Sequence, residues 1–199
     1  VACAVQGVLD GYRPSVMALD TETTGLTGAV VQAALVELDA HGRERNVFDG
    51  LVHPPHGYAM ETGAVRVHGI TPARLAAEAR PAVPFFAELT RRLKRARDEG
   101  TVVVAHNASF DVARLNATLA AHGVSERVED VFCTMRAAKQ RCGLRDRRGM
   151  LKCPTNAELY AFLHDGADAS TACGSLHDAT ADARVTARSY LAGRRRGWW

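Results

Sequence analysis

The chain has 199 residues, the size of one domain. Hydrophobic residues are 47% and charged residues 24%, which excludes a disordered chain, and no apolar run approaches the roughly 18 to 20 residues of a membrane span. Lys plus Arg number 25 against 22 Asp plus Glu, so the net charge of +3 does not by itself mark a nucleic-acid binder.

Residues 1–14 read as an N-terminal extension with no basic stretch leading into an apolar block, so no secretory signal is expected. Ser15 to Glu22 reads as a strand. Val16 and Ala18 share a face with Asp20 and Glu22, and Met17 and Leu19 point the other way. Apolar residues on both faces predict a central strand covered on both sides. Val30 to Leu38 and Asn46 to Val52 complete a meander, with a turn at 39–42 and a loop at 53–57. Thr71-Pro72 opens a helix, Phe85 to Arg97 forms a long one, and Thr101 to Ala105 is a short apolar strand of the parallel type. Ser109 caps a helix running to about Ala121 and stopped by Gly123. Val131 to Cys133 reads as a fifth strand, and helices follow at Thr134 to Gln140 and Pro154 to Leu163. Ser175, with Asp178 in the place of a capping Glu, begins a last helix ending at Leu191. Residues 193–199 read as a basic, aromatic tail. A meander followed by alternating strands and helices predicts one α/β domain with a mixed five-stranded sheet.

Five cysteines, an odd number with no C-x-x-C pair, argue against a disulfide framework and for a reducing intracellular compartment, cytoplasm or nucleus. Cys142, Cys153 and Cys173 with His164 match no zinc spacing and read as ordinary thiols and a ring. The basic residues cluster. Those at 91–97 read as a solvated helix face. Between Arg136 and Lys152 there are seven basic residues and one acid, Asp146, and Arg145-Asp146-Arg147-Arg148-Gly149 reads as a mobile basic loop able to hold a phosphate backbone.

Three local features carry chemistry. Asp20 and Glu22 lie on one side of a buried strand's end, where two carboxylates repel unless protonated, solvated or bound to a cation such as Mg²⁺. Asp111 lies just after a parallel-type strand, in the first turn of a helix, with His106 and Asn107 in the loop before it. His177 and Asp182 lie near the start of the last helix, and an imidazole can take a proton from water at neutral pH. Four carboxylates and one histidine suit a two-metal phosphodiester hydrolase, provided the fold brings them together.

These segments resemble those of the DEDDh, or DnaQ-like, exonucleases, a group that includes proofreading subunits of bacterial replicases. The matching stretches are DTETTGL at 20–26, VHGIT at 67–71, HNASFDVARL at 106–115 and HDATADARVTA at 177–187. The resemblance runs from about residue 15 to 192. It implies a ribonuclease-H-like fold and 3′-to-5′ exonucleolysis with two Mg²⁺ or Mn²⁺. Carried over by motif, Asp20, Glu22, Asp111 and Asp182 would hold the metals and His177 would be the general base. Thr23, Leu26, His68, Asn107 and Phe110 would line the substrate site, Leu26 as an apolar wedge against a base. DNA, single-stranded at its end, is the substrate favoured over RNA. An exoribonuclease with the same site is the nearest alternative. A nucleic-acid-binding module using the basic 136–152 loop and a phosphohydrolase of small nucleotides are weaker ones. No membrane partner is expected, no sliding-clamp peptide is visible after the last helix, and oligomeric state is not legible.

Overall fold

The computed structural model describes residues 15–199. The expected extension at 1–14, with Cys3, lies outside the described residues. The strands are β1 (Val16–Thr23), β2 (Val30–Leu38), β3 (Glu44–Leu51), β4 (Val102–Ala105) and β5 (Phe132–Cys133). The helices are α1 (Thr62–His68), α2 (Pro72–Glu78), α3 (Ala82–Asp98), α4 (Ala108–Ala121), α5 (Thr134–Cys142), α6 (Asn156–Leu163), α7 (Ala169–Cys173) and α8 (Ala179–Arg195).

The five strands form one mixed sheet in the order β3-β2-β1-β4-β5. β1 is central as expected, antiparallel to β2 and parallel to β4. Its two-faced pattern does what the sequence demands. Met17 and Leu19 pack with Phe86 and Leu89 of α3 and Leu115 and Leu119 of α4. Val16 and Ala18 pack on the other face against Ala179, Ala183 and Ala187 of α8. Alanines one turn apart let α8 lie close to the sheet, and with both faces covered all nine residues of β2 are buried. No described helix is long and apolar enough to cross a membrane.

The register between β1 and β4 creates the site. The paired residues end with Ala18 opposite Val104, and β4 stops at Ala105. β1 continues, so Asp20 and Glu22 stand beyond their neighbour's end, and the loop leading into α4 fills the space.

Several boundaries differ from those predicted. α1 and α7 were not expected. α1 buries no residue and its N-cap, Glu61, makes no side-chain cap bond, so neither periodicity nor capping announces it. At α4 the cap is Asn107, in the left-handed region at φ 64°, and Ser109 is inside the helix. At α8 the cap is Asp178, whose carboxylate accepts from the N–H of Thr180 and Ala181, so Ser175 caps nothing and His177 precedes the helix. α6 begins at Asn156 behind a complete Thr155–Glu158 capping box. α8 runs on to Arg195 rather than Leu191, and Trp199 folds back to stack on Tyr190, its indole N–H donating to that residue's carbonyl at 3.0 Å. The segment expected as a mobile basic loop is a hydrogen-bonded turn: Arg145 bridges Leu151, and the Asp146 carboxylate accepts from the N–H of Arg148 and Met150. The cysteines and His164 do not converge. Among the described residues only Asp20, Glu22 and Asp182 group as potential metal ligands.

Candidate active site

Asp20, Glu22, Asp111 and Asp182 line one pocket at the end of β1, together with Thr21, His106, Asn107, Phe110, Asn156 and His177. Carboxylate oxygens of Asp20, Glu22 and Asp182 all lie within 4.8 Å of one another. Asp182 comes from α8, which packs on the Val16 and Ala18 face that Asp20 and Glu22 share. Asp111 comes from α4, on the opposite face. It is 3% exposed and accepts the Thr21 hydroxyl at 2.9 Å. Alternation along β1 thus places Asp20 and Glu22 toward one helix and Thr21 toward the other.

His177 is exposed on the rim, with a left-handed backbone at φ 63°. Its N–H donates to Asp182 Oδ2 at 2.7 Å. Asn156, which the sequence did not single out, donates from Nδ2 to the Asp182 carbonyl at 3.1 Å and accepts the Thr186 hydroxyl. The Thr155 capping box could have placed Asn156 at a helix start, but nothing in the sequence places that start beside Asp182. His106 donates from Nε2 to the Pro154 carbonyl at 3.0 Å, a supporting tie between the β4 loop and the segment before α6.

A cavity of about 410 Å³ adjoins this pocket and shares Thr21, Glu22 and Phe110 with it. Thr23, Leu26 and His68 line it, so these predicted residues and Phe110 are brought together, while Asn107 stands on the acidic side. Leu26 is 83% exposed at its mouth. The Thr23 hydroxyl turns inward to the Gly25 carbonyl at 2.8 Å. His68 Nδ1 accepts the Ile70 N–H and its Nε2–H donates to the Thr23 carbonyl, pinning the end of α1 to the end of β1. Burial holds the ring's pKa below the usual histidine value, which suits this neutral, doubly bonded tautomer. Glu61 also lines the cavity and has no sequence signal. Its carboxyl lies so close to Gly25 that any Cβ there would overlap it.

The exonuclease family model (RNase T type) matches residues 17–190, nearly all of the described chain. The chain belongs to the exonuclease family. A DNA polymerase III subunit epsilon-like protein of Rhodobacter capsulatus is 44% identical over 99 residues, covering 47% of this chain and 13% of that protein. The chain thus spans a small part of that relative's length. A structure of exonuclease X in complex with 5′ overhanging duplex DNA superposes with a TM-score of 0.61 and 24% identity, covering 92% of this chain and 94% of that one. E. coli exonuclease I in complex with a 5cy-dT13 oligonucleotide gives 0.68 and 18%, covering 93% and 41%. At these identities both show the shared fold.

Exonucleases of this family use divalent metal ions, and the acidic pocket fits such a cation. Its donors are hard carboxylate oxygens, and no Lys or Arg lines it to neutralise them. The electrostatics show the conflict. Burial, then repulsion from Asp111, Asp182, Glu22 and Asp178, raises the Asp20 pKa well above the carboxylate range. Burial, then Asp182, Asp178 and Asp111, lifts Glu22 to about 8. Burial lifts Asp111 to about 7 against the hydrogen bond from Thr21, and burial also raises Asp182.

These acids hold protons more tightly folded than unfolded, so folding stability is lost as pH rises from the ordinary carboxylate range of about 4 through their raised values. Half-buried His68, His106 and His164 have pKa values lowered by desolvation and work the opposite way, but only below about pH 6.5. Between about pH 7 and 8 the carboxylates dominate. In chelator, the melting temperature is expected to fall by roughly 3 to 6 °C across that range, and Mg²⁺ should flatten the fall. A melting temperature that rises with pH in chelator overturns this account.

Proposed function

We propose that this chain is a metal-dependent 3′-to-5′ exonuclease acting on DNA ends, preferentially single-stranded. One observation carries the reading: four carboxylates from β1, α4 and α8 meet in one pocket, beside an apolar cavity with room for a nucleotide. The DNA in the exonuclease X and exonuclease I complexes supports DNA as the substrate class.

Asp20, Glu22, Asp111 and Asp182 would hold two divalent cations, Mg²⁺ or Mn²⁺. Bound there, such ions supply Lewis acidity to the attacking water and to the leaving oxygen. The chain's other residues do the rest. His177, on the open rim, takes the proton of the water that attacks phosphorus. The bond from phosphorus to the 3′ oxygen breaks, that oxygen takes a proton from solvent to become the new 3′-hydroxyl, and a nucleoside 5′-monophosphate is released. Asn156 holds the Asp182 backbone carbonyl and the His177 N–H holds its carboxylate. His68 and Thr23 form the wall beside the terminal nucleotide, and Phe110 and Leu26 offer apolar faces to its base. The activity is assigned to residues 15–192. The described cysteines, Cys133, Cys142, Cys153 and Cys173, are unpaired, which supports a reducing intracellular setting.

The test uses 5′-labelled single-stranded DNA and RNA of one sequence with Mg²⁺ or Mn²⁺, and EDTA as the control. A ladder shortening from the 3′ end and abolished by EDTA is expected, faster on DNA. Faster shortening of RNA makes the protein an exoribonuclease, and no shortening of either refutes the reading. Leu26→Ala is expected to raise KM on oligonucleotides several-fold, about 1 kcal/mol of lost apolar contact. Because Leu26 is 83% exposed, the melting temperature should not move. An unchanged KM removes Leu26 from the substrate site.

A further inference from the structure

We infer that the basic turn between α5 and α6 is a backbone clamp for the strand behind the scissile bond. The inference rests on the exonuclease reading above, because that reading sets the direction of the strand. With the terminal nucleotide in the apolar cavity, the scissile phosphate lies at the acidic pocket. The preceding nucleotides must then leave on the side away from the cavity. His106, Asn107 and Asn156 stand in the acidic pocket but not in the cavity, and so form that side.

The wall they form is the end of the basic segment. His106 is bonded to the Pro154 carbonyl, and Asn156 opens α6 directly behind it. Two residues before Pro154, the Lys152 N–H donates to the Leu144 carbonyl at 2.9 Å and closes the turn. The basic turn is therefore anchored to the exit side of the site.

Its chemistry suits phosphates. Arg145, Arg147 and Arg148 are exposed. Of the two acids nearby, Asp146 accepts from the backbone N–H of Arg148 and Met150 and Glu158 pairs with Lys152, and neither Arg147 nor Arg148 has a carboxylate partner among the described residues. Arg145 donates from Nη1 to the Gly149 carbonyl at 2.6 Å, which holds the turn's shape. Arg147 and Arg148, exposed on a hydrogen-bonded turn, are free to meet an extended anion. They also offset the repulsion that four carboxylates exert on an approaching backbone. The clamp reads no sequence, since phosphate contacts position the strand without reading bases.

The test compares an Arg147→Ala/Arg148→Ala variant with the unaltered protein on two substrates. One is a single-stranded oligonucleotide. The other is the 5′-p-nitrophenyl ester of thymidine monophosphate, which has no upstream strand. On the oligonucleotide at low salt, kcat/KM should fall about tenfold, and the slope of its logarithm against log salt should shrink by about 1.4, roughly 0.7 for each lost phosphate contact on a single strand. On the ester, kcat/KM should not change. An Arg147→Lys/Arg148→Lys variant should retain most of the oligonucleotide activity, which separates charge from a damaged turn. Unchanged oligonucleotide kinetics, or equal losses on both substrates, overturn the clamp alone. If the unaltered protein cleaves neither substrate, the exonuclease reading fails and the clamp with it.

Discussion

Asp20→Asn is expected to lower kcat/KM for 3′-end hydrolysis by at least about 10³-fold, since losing a ligand that organises the cation site forfeits several kcal/mol of charge stabilisation. The same change should make the metal-free protein more stable near pH 8. Asp20 is half-buried, and its desolvation and the charges of Asp111, Asp182, Glu22 and Asp178 all oppose its ionisation. The amide keeps the shape and removes the charge. Exonuclease rates and chelator melting curves measured on one preparation test both halves. A variant that stays active shows that Asp20 holds no essential cation. One that is inactive and less stable without metal refutes the electrostatic account, because relief of repulsion should win where no cation compensates it.

His177→Asn should cut kcat by about 10² to 10⁴-fold, the range for a lost general base, with little change in KM. Asparagine is the informative replacement. Residue 177 has φ 63°, a conformation that asparagine adopts more readily than most residues. Its N–H can therefore keep its bond to Asp182, so the loop stays in place while the base is lost. His177→Ala combines the missing base with a strained backbone and would blur the two. Full activity in the asparagine variant would falsify the general-base assignment. An equal fall in kcat/KM with kcat intact would make His177 a binding residue instead.

The two acids of β1 were legible because strand alternation is local. Once Ser15 to Glu22 reads as a strand, Asp20 and Glu22 must share a side, and Val16 and Ala18 show which helix layer that side faces. The α8 alanines and the apolar β4 segment were equally legible, since each is a periodic pattern inside one element. The α8 start was not. Ser175 and Asp178 both suit a cap locally, and the choice falls to Asp178 because Gln32, on β2, donates to its free oxygen at 2.9 Å from across the fold. That contact, 146 residues apart in sequence, places His177 outside the helix. α1 escaped notice because its hold on the protein is His68 on the Thr23 carbonyl, again a long-range bond. The turn's hydrogen bonds were not legible because Asp146 reads as a lone acid in a basic run. Only its backbone partners show that it organises the turn.

The sequence by itself therefore determined the succession of the five strands and of six of the eight described helices, the two covered faces of the sheet, the paired carboxylates of β1 and the family to which the motifs point. These follow from periodicity and from residues near one another in the chain. The tertiary structure decided what depends on distant segments meeting. β4 stops short of β1, and the loop leading into α4 lines the pocket that Asp20 and Glu22 enter. Asp111 arrives from one face of the sheet and Asp182 from the other. The basic turn is moored to the site's exit side by one histidine bond. Each depends on register and packing between elements, and neither composition nor spacing encodes those where they can be read.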